Sequence, residues 1–165
     1  MDFEGAGNAE TDGAPSGGPY EWFRRAGEML ATGNADAAIV LLERVRRTEP
    51  SPSVLETLGR ALFDARRYDE AIEILTDLVE RSPDEDYAHY ALGMALWRKQ
   101  SFPTARDHLS MAFVMRPDKP EYAQALSQVK ATLRARAEAG LPAQGPIDVD
   151  FDAGGNLAAD EPSGQ

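Results

Sequence analysis

The chain has 165 residues and a formal net charge of −11, with 17 Lys and Arg against 28 Asp and Glu. That length suits one modest domain with room for tails, and a hydrophobic content of 42% is enough for a core. Cysteine is absent, which excludes disulfides, thiolate metal sites and thiol catalysis.

The acidity is unevenly placed. Residues 1–18 carry −4 and residues 141–165 carry −5, which leaves the body at −2. A near-neutral body with acidic tails opposes binding to a nucleic-acid backbone, which needs a positive footprint. The opening MDFEGAGNAETDG has neither the basic n-region nor the apolar h-region of a signal peptide. No stretch reaches the apolar length of a membrane span. The expectation is a soluble, cytoplasmic protein without membrane contact.

Residues 1–18 are Gly, Ala, Asn, Ser and acid, too polar to bury anything, and are expected to be disordered. From residue 19 the apolar spacing is helical. A first pattern reads Trp22, Arg25-Ala26, Met29, Ala38, Leu42 and Pro50, with Gly33-Asn34 supplying the turn. A second reads Leu55, Leu58-Gly59, Leu62, Ala71, Leu75 and Pro83. It predicts helices from about Val54 to Ala65 and Asp69 to Glu80, with Asp69 as N-cap and Glu70 favourable in the first turn. Pro83 stops the second of these helices. A third reads His89, Leu92-Gly93, Leu96, Ala105, Leu109 and Pro117. There Ser101 is the expected cap, and Pro103 fits the first turn, where a missing N–H costs little.

Ala38 to Ala71 is 33 residues and Ala71 to Ala105 is 34. Self-similarity at that period marks a helical solenoid of two-helix repeats. Gly59, Ala71, Gly93, Ala105 and Ala112 stand where helices are expected to cross closely, with leucines filling the flanking holes. After Pro117 a further helix is predicted from about Glu121 to Ala137. Tyr122, Ala125, Leu126, Val129 and Leu133 form its apolar stripe, and Gln124, Gln128, Lys130 and Arg134 its wet side. A polar-faced helix of this kind closes an open solenoid end.

The pattern of aromatic, Leu-Gly, Ala and Pro resembles that of the tetratricopeptide repeat family over residues 19–119. LGRALF with YDEAIEIL and LGMALW with FPTARDHL carry the resemblance most clearly. The first copy departs from it, with Arg25 for Leu and Ala26 for Gly, and His89 stands where the family often has Trp. The resemblance implies an all-α, right-handed helical solenoid of three helix-turn-helix repeats plus a C-terminal capping helix. The expected divisions are an acidic tail at 1–18, repeats at 19–51, 52–85 and 86–119, the capping helix at 120–140 and an acidic tail at 141–165.

Candidates for chemistry are few. The two histidines, His89 and His108, fall in different helices of one repeat, and neither has a motif partner for nucleophilic or general-base work. No Gly-rich loop precedes a Lys-Ser or Lys-Thr pair. Asp148-Val149-Asp150-Phe151-Asp152 has the acidic spacing of a calcium loop, but Ala stands at 153 and 159, where Gly and Glu are needed. No enzymatic activity, cofactor or metal site is expected. From Pro146 to Asp152 apolar and acidic residues alternate, which suits an extended strand able to dock as a peptide.

By the resemblance, the first helix of each repeat lines a concave groove. Its inward positions are Tyr20, Phe23 and Gly27, then Glu56, Thr57, Arg60, Phe63 and Asp64, then Tyr87, Tyr90, Ala91, Met94, Trp97 and Arg98. The expected partner-binding residues are Tyr20, Phe23, Arg60, Phe63, Tyr87, Tyr90, Met94, Trp97 and Arg98. Some relatives clamp a C-terminal carboxylate with Lys, Arg and Asn. The matching positions here are Phe23, Gly27, Thr57, Tyr87 and Ala91, which lack the required donors. The expected function is a non-catalytic adaptor or scaffold that binds a protein or peptide partner in an aromatic groove. A self-inhibited adaptor, its acidic C-terminal tail occupying the groove, is the alternative; a nucleic-acid-associated regulator is a more distant one. The sequence names neither the partner nor the oligomeric state.

Overall fold

A computed structural model describes residues 16–147. Seven α-helices follow one another: α1 (Pro19–Ala31), α2 (Ala35–Thr48), α3 (Pro52–Asp64), α4 (Tyr68–Arg81), α5 (Asp86–Arg98), α6 (Phe102–Met115) and α7 (Pro120–Glu138). No strand occurs among the described residues. Each helix packs on the next, and α1, α3, α5 and α7 also touch in succession. The fold is therefore an all-α solenoid: three helical hairpins and a closing helix, with the odd-numbered helices forming one layer.

Close helix crossing builds each hairpin. Ala26, Ala38, Ala71 and Ala105 are wholly buried. A Cβ added to Gly59 would lie 2.5 Å from Leu75 Cδ2, and one added to Gly93 would lie 2.7 Å from Leu109 Cγ and 3.2 Å from the Ala105 carbonyl. The leucine of the second helix thus occupies the space a side chain on the first would need. Small residues at the crossing let the backbones approach and let the leucines fill the gap at close-packed density. One part of the core runs from α1 to α5; a second joins α6 to α7, with half-buried rings of α5 against it.

The turns inside the hairpins are built alike. Gly33, Arg66 and Gln100 occupy corresponding positions and have φ of 78°, 60° and 61°. In each, the following amide reaches back to close the helix end, as Arg67 N–H does to the Leu62 carbonyl at 2.9 Å and Ser101 N–H to the Leu96 carbonyl at 2.9 Å. Glycine meets the left-handed backbone without penalty only in the first hairpin, whereas Arg66 and Gln100 adopt it at a cost of about 1 kcal/mol each. Asn34 is a true cap, its side chain accepting from Ala37 N–H. Asp69 is not: Arg67 holds the N-cap position of α4 without a side-chain bond, and Asp69 in the first turn accepts from Lys99 Nζ at 3.0 Å instead. Ser101 precedes α6 but makes no side-chain capping bond.

The far end is held by polar anchors. Tyr122 on α7 is only 1% exposed, and its hydroxyl donates to Asp86 Oδ2 at 2.6 Å, which also accepts from Lys119 Nζ at 3.1 Å. Burial pushes the Asp86 carboxyl up, but these donors outweigh it and hold it below its ordinary value. Burial and the Asp86 bond together raise the Tyr122 phenol to about 12. Beyond α7, residues 141–147, which the sequence reading assigns to the tail, turn back on the helices. Buried Arg136 donates to the carbonyls of Pro142 (2.6 Å), Gln144 (3.3 Å) and Gly145 (2.8 Å), and Gly145 N–H donates to the Gln100 carbonyl at 3.1 Å.

Two stability outcomes follow from this geometry. Gly93→Ala is expected to destabilise the fold by about 1–3 kcal/mol of overpacking, offset by up to about 1 kcal/mol of helix propensity. Gly59→Ala is expected to cost less, because its clash is with the Leu75 side chain alone and no backbone carbonyl. Urea denaturation of both variants checks the order. Arg66→Gly is expected to raise stability by about 0.5–1 kcal/mol by relieving the left-handed turn, while Ala65→Gly, one residue earlier at ordinary φ, lowers it.

Candidate functional site

The odd-numbered layer carries a cleft of about 230 Å³ between α3 and α5. Gly59, Arg60, Phe63 and Asp64 form one wall, and Tyr87, Tyr90, Ala91 and Met94 the other. The helical period explains the second wall. Residues 87, 91, 94 and 98 recur at spacings of four, three and four, which places them along one stripe of α5. Gly59 lines the cleft with its backbone, the space of its missing side chain being filled by Leu75 of α4.

The rings of the cleft are half-buried, presented as well as packed. Phe63 meets Tyr68 edge-on at 5.3 Å between centroids, Tyr87 is tilted against Tyr90 at 6.2 Å, and Tyr90 stacks on Tyr122 at 4.6 Å. The buried Tyr122 therefore backs the groove, fixing one face of Tyr90 and leaving its edge to the cleft. Burial raises the phenols of Tyr87 and Tyr90 above their ordinary value, Arg60 acting against it at Tyr87. Both remain hydrogen-bond donors at neutral pH. Glu56 is raised by burial and by Glu85, with Arg60 opposing.

Of the sequence-predicted groove residues, the cleft brings together Arg60, Phe63, Tyr87, Tyr90 and Met94. Trp97 and Arg98 lie one turn further along α5. They line a second, more open hollow of about 560 Å³ with Gln100, Phe102, Arg136, Pro146 and Ile147. Arg98 lies over the Trp97 ring at 5.8 Å, and Arg136 over the Phe102 ring at 5.2 Å. Tyr20 and Phe23 line neither space. Tyr20 is 78% exposed at the start of α1, and Phe23 packs against the core.

Sequence reasoning missed Arg136 and Phe102. Arg136 reads as a solvated charge near a helix end, and no local signal shows that carbonyls from six to nine residues downstream will surround it. Thr57, one of the positions that would serve a carboxylate clamp, donates its hydroxyl to the Ser53 carbonyl at 2.8 Å, so it is already engaged within its helix. A third hollow, of about 450 Å³, lies on the outer side of α6 and α7 around Phe113, Leu126 and Lys130.

Residues 56–120 match the family model described as tetratricopeptide repeat. The stretch from α3 to α6 is similar to tetratricopeptide repeats. Solved tetratricopeptide and related helical repeats share its fold. MamA from Desulfovibrio magneticus RS-1 superposes with a TM-score of 0.69 at 18% identity, covering 74% of this chain and 70% of that one. The first repeat domain of Spaghetti (RPAP3), solved with the HSP90 peptide SRMEEVD, gives 0.68 at 16% identity, covering 70% and 93%. MamA AMB-1 gives 0.64 at 25% identity, covering 76% and 69%. No curated protein matches the sequence.

Among the described residues no group of three or more His, Asp or Glu is placed to hold a metal, and no helix is long and apolar enough to cross a membrane. The calcium-like Asp148–Asp152 segment lies outside the described residues. One titratable pair does form, between α5 and α6. His89, 6% exposed, faces the Pro83 carbonyl with Nε2 at 3.0 Å and His108 Nδ1 with its own Nδ1 at 3.1 Å. A carbonyl only accepts, so Nε2 of His89 carries a proton. In the neutral ring its Nδ1 then accepts from His108. The pair pins α5 to α6, a packing use of the two rings.

Burial, and repulsion from His89, lower the His108 pKa, with Asp107 opposing. A cationic group lowered by folding contributes stability that is full above its unfolded value, about 6.5, and is lost as pH falls toward the folded value. Stability is therefore expected to fall from pH 7.5 to pH 5.5, and His108→Gln to flatten that decline. Paired urea titrations at the two pH values check it; parallel slopes would contradict the assignment.

Proposed function

We infer that this protein is a non-catalytic interaction module whose α3–α5 cleft binds a short segment of a protein partner, in the manner of a cytoplasmic adaptor or scaffold. The cleft itself carries the inference. It combines an apolar floor, rigid half-buried rings and a single guanidinium, Arg60, at its wall. Tyrosines with two rotatable bonds give contact area at low entropic cost, and arginine orients a polar or acidic group. The repeat fold supports a binding role, and one protein of the same fold, the Spaghetti repeat domain, is seen with a peptide. The ligand expected here is more apolar than a terminal-carboxylate motif, because Phe23, Gly27, Thr57, Tyr87 and Ala91 supply no clamp. The near-neutral body favours a protein ligand over a nucleic acid.

Selection from a displayed peptide library tests the reading. Peptides rich in apolar residues with an acidic position are expected to be enriched. Their affinity, by calorimetry, should drop about five- to tenfold or more with Arg60→Glu or Tyr87→Ala, a loss of about 1–1.4 kcal/mol. It should hold with Val114→Arg on α6, where the side chain is 76% exposed away from the cleft. Equal affinity for all three variants would place binding elsewhere.

A further inference from the structure

We propose that His89 and His108 form a two-histidine site for a late first-row divalent ion, zinc or copper, held between α5 and α6. Neither ring lines the α3–α5 cleft, so the site is independent of peptide binding there.

The spacing is close to that of a ligand pair. The two Nδ1 atoms face each other at 3.1 Å, with ring centroids 5.3 Å apart and planes 30° from parallel. Two imidazole nitrogens on one tetrahedral zinc ion, each about 2.0 Å from it, stand about 3.3 Å from one another. Opening the pair by about 0.2 Å therefore brings both nitrogens to ligand distance. His108 is half-buried, on the more open side of the pair, and its ring has the freedom to make that movement.

His89 is already set as a ligand. Its Nε2 donates to the Pro83 carbonyl at 3.0 Å, which fixes the proton there and leaves the Nδ1 lone pair aimed at His108. Metal-bound histidines are commonly held in this way, the far N–H donated to a carbonyl that fixes tautomer and ring orientation. The ring is also buried, which holds it in that pose.

His108 completes the pair by changing tautomer. In the neutral pair its Nδ1 carries the proton between the rings. Its Nε2 makes no hydrogen bond to another described residue and is open to solvent. On binding, water takes the proton from Nδ1 and returns one to Nε2. The two rings keep their proton count, and both Nδ1 lone pairs are then free for the ion.

The donors select the metal. Asp107, the neighbouring carboxylate, is engaged by Arg106 at 2.7 Å. Two imidazoles without an oxygen donor suit copper and zinc, whereas magnesium and calcium need oxygen ligands. Water fills the remaining positions on the His108 side. Two protein donors make a weaker site than the closed four-ligand kind, and the bound ion clasps the two helices of the third hairpin.

The test titrates the full chain, natural and His108→Gln, with zinc chloride and with copper chloride at pH 7.5, by calorimetry. The natural chain is expected to take up one ion, copper more tightly than zinc, with magnesium chloride giving no competition. His108→Gln is expected to weaken that binding at least about tenfold. Nitrogen-15 spectra of the histidine rings locate the ion. With one equivalent of zinc, the Nδ1 resonances of both rings are expected to move together while His89 Nε2 keeps its proton. Equal affinity of the two chains overturns the proposal, since ions held by the acidic tails would bind both alike. So do ring resonances that stay fixed, or movement of one ring alone. If His108→Gln loses helicity, the ring resonances of the natural chain decide by themselves.

Discussion

Everything in this molecule depends on how closely the two helices of a hairpin approach. Leu75 and Leu109 sit where side chains on Gly59 and Gly93 would be, and Ala26 takes the corresponding place in the first hairpin, wholly buried. That contact sets the distance between the two layers and so the stagger of one hairpin on the next. The groove inherits its shape from it. Gly59 packs against Leu75 and its backbone lines the α3–α5 cleft. A larger residue there would disturb fold and site together.

The aromatic wall is a second consequence of the stacking. A layer of parallel helices leaves rings on α5 between α3 and α7. Tyr90 is backed by Tyr122, which is itself fixed by Asp86 and Lys119. The capping helix thus does two things: it closes the core at α6, and it holds a groove ring in place. Positioning by a buried neighbour reduces the entropy a ligand must overcome on binding. Arg60 stands on the α3 wall of the cleft, and Arg98 lines the neighbouring hollow at the end of α5.

Much of the fold was legible because the repeat writes the same local physics three times. The period, the small residues and the prolines each identify hairpins, and agreement among them specifies the solenoid. Helix ends were less legible. Asp69 looks like a cap, yet the left-handed turn at Arg66 closes the preceding helix and starts α4 one residue earlier. Long-range polar partners were invisible: His89 with His108 is a separation of 19 residues and Asp86 with Tyr122 one of 36. Arg136 is the clearest case, since its burial depends on a strap whose sequence, LPAQGP, announces no contact. The groove was half legible. Helical spacing placed the α5 residues on one stripe, but it did not show that Phe23 would turn into the core or that Tyr20 would stand apart.

Binding in the α3–α5 cleft is the central claim, and the methyl group of Met94 reports on it most directly. Met94 lines the cleft, while Met111 on α6 is 47% exposed and away from it. With methyl-labelled methionine and a library-selected peptide, two-dimensional NMR is expected to show the Met94 resonance moving saturably while Met111 stays fixed. Saturable movement of Met111 with Met94 unmoved would contradict the account.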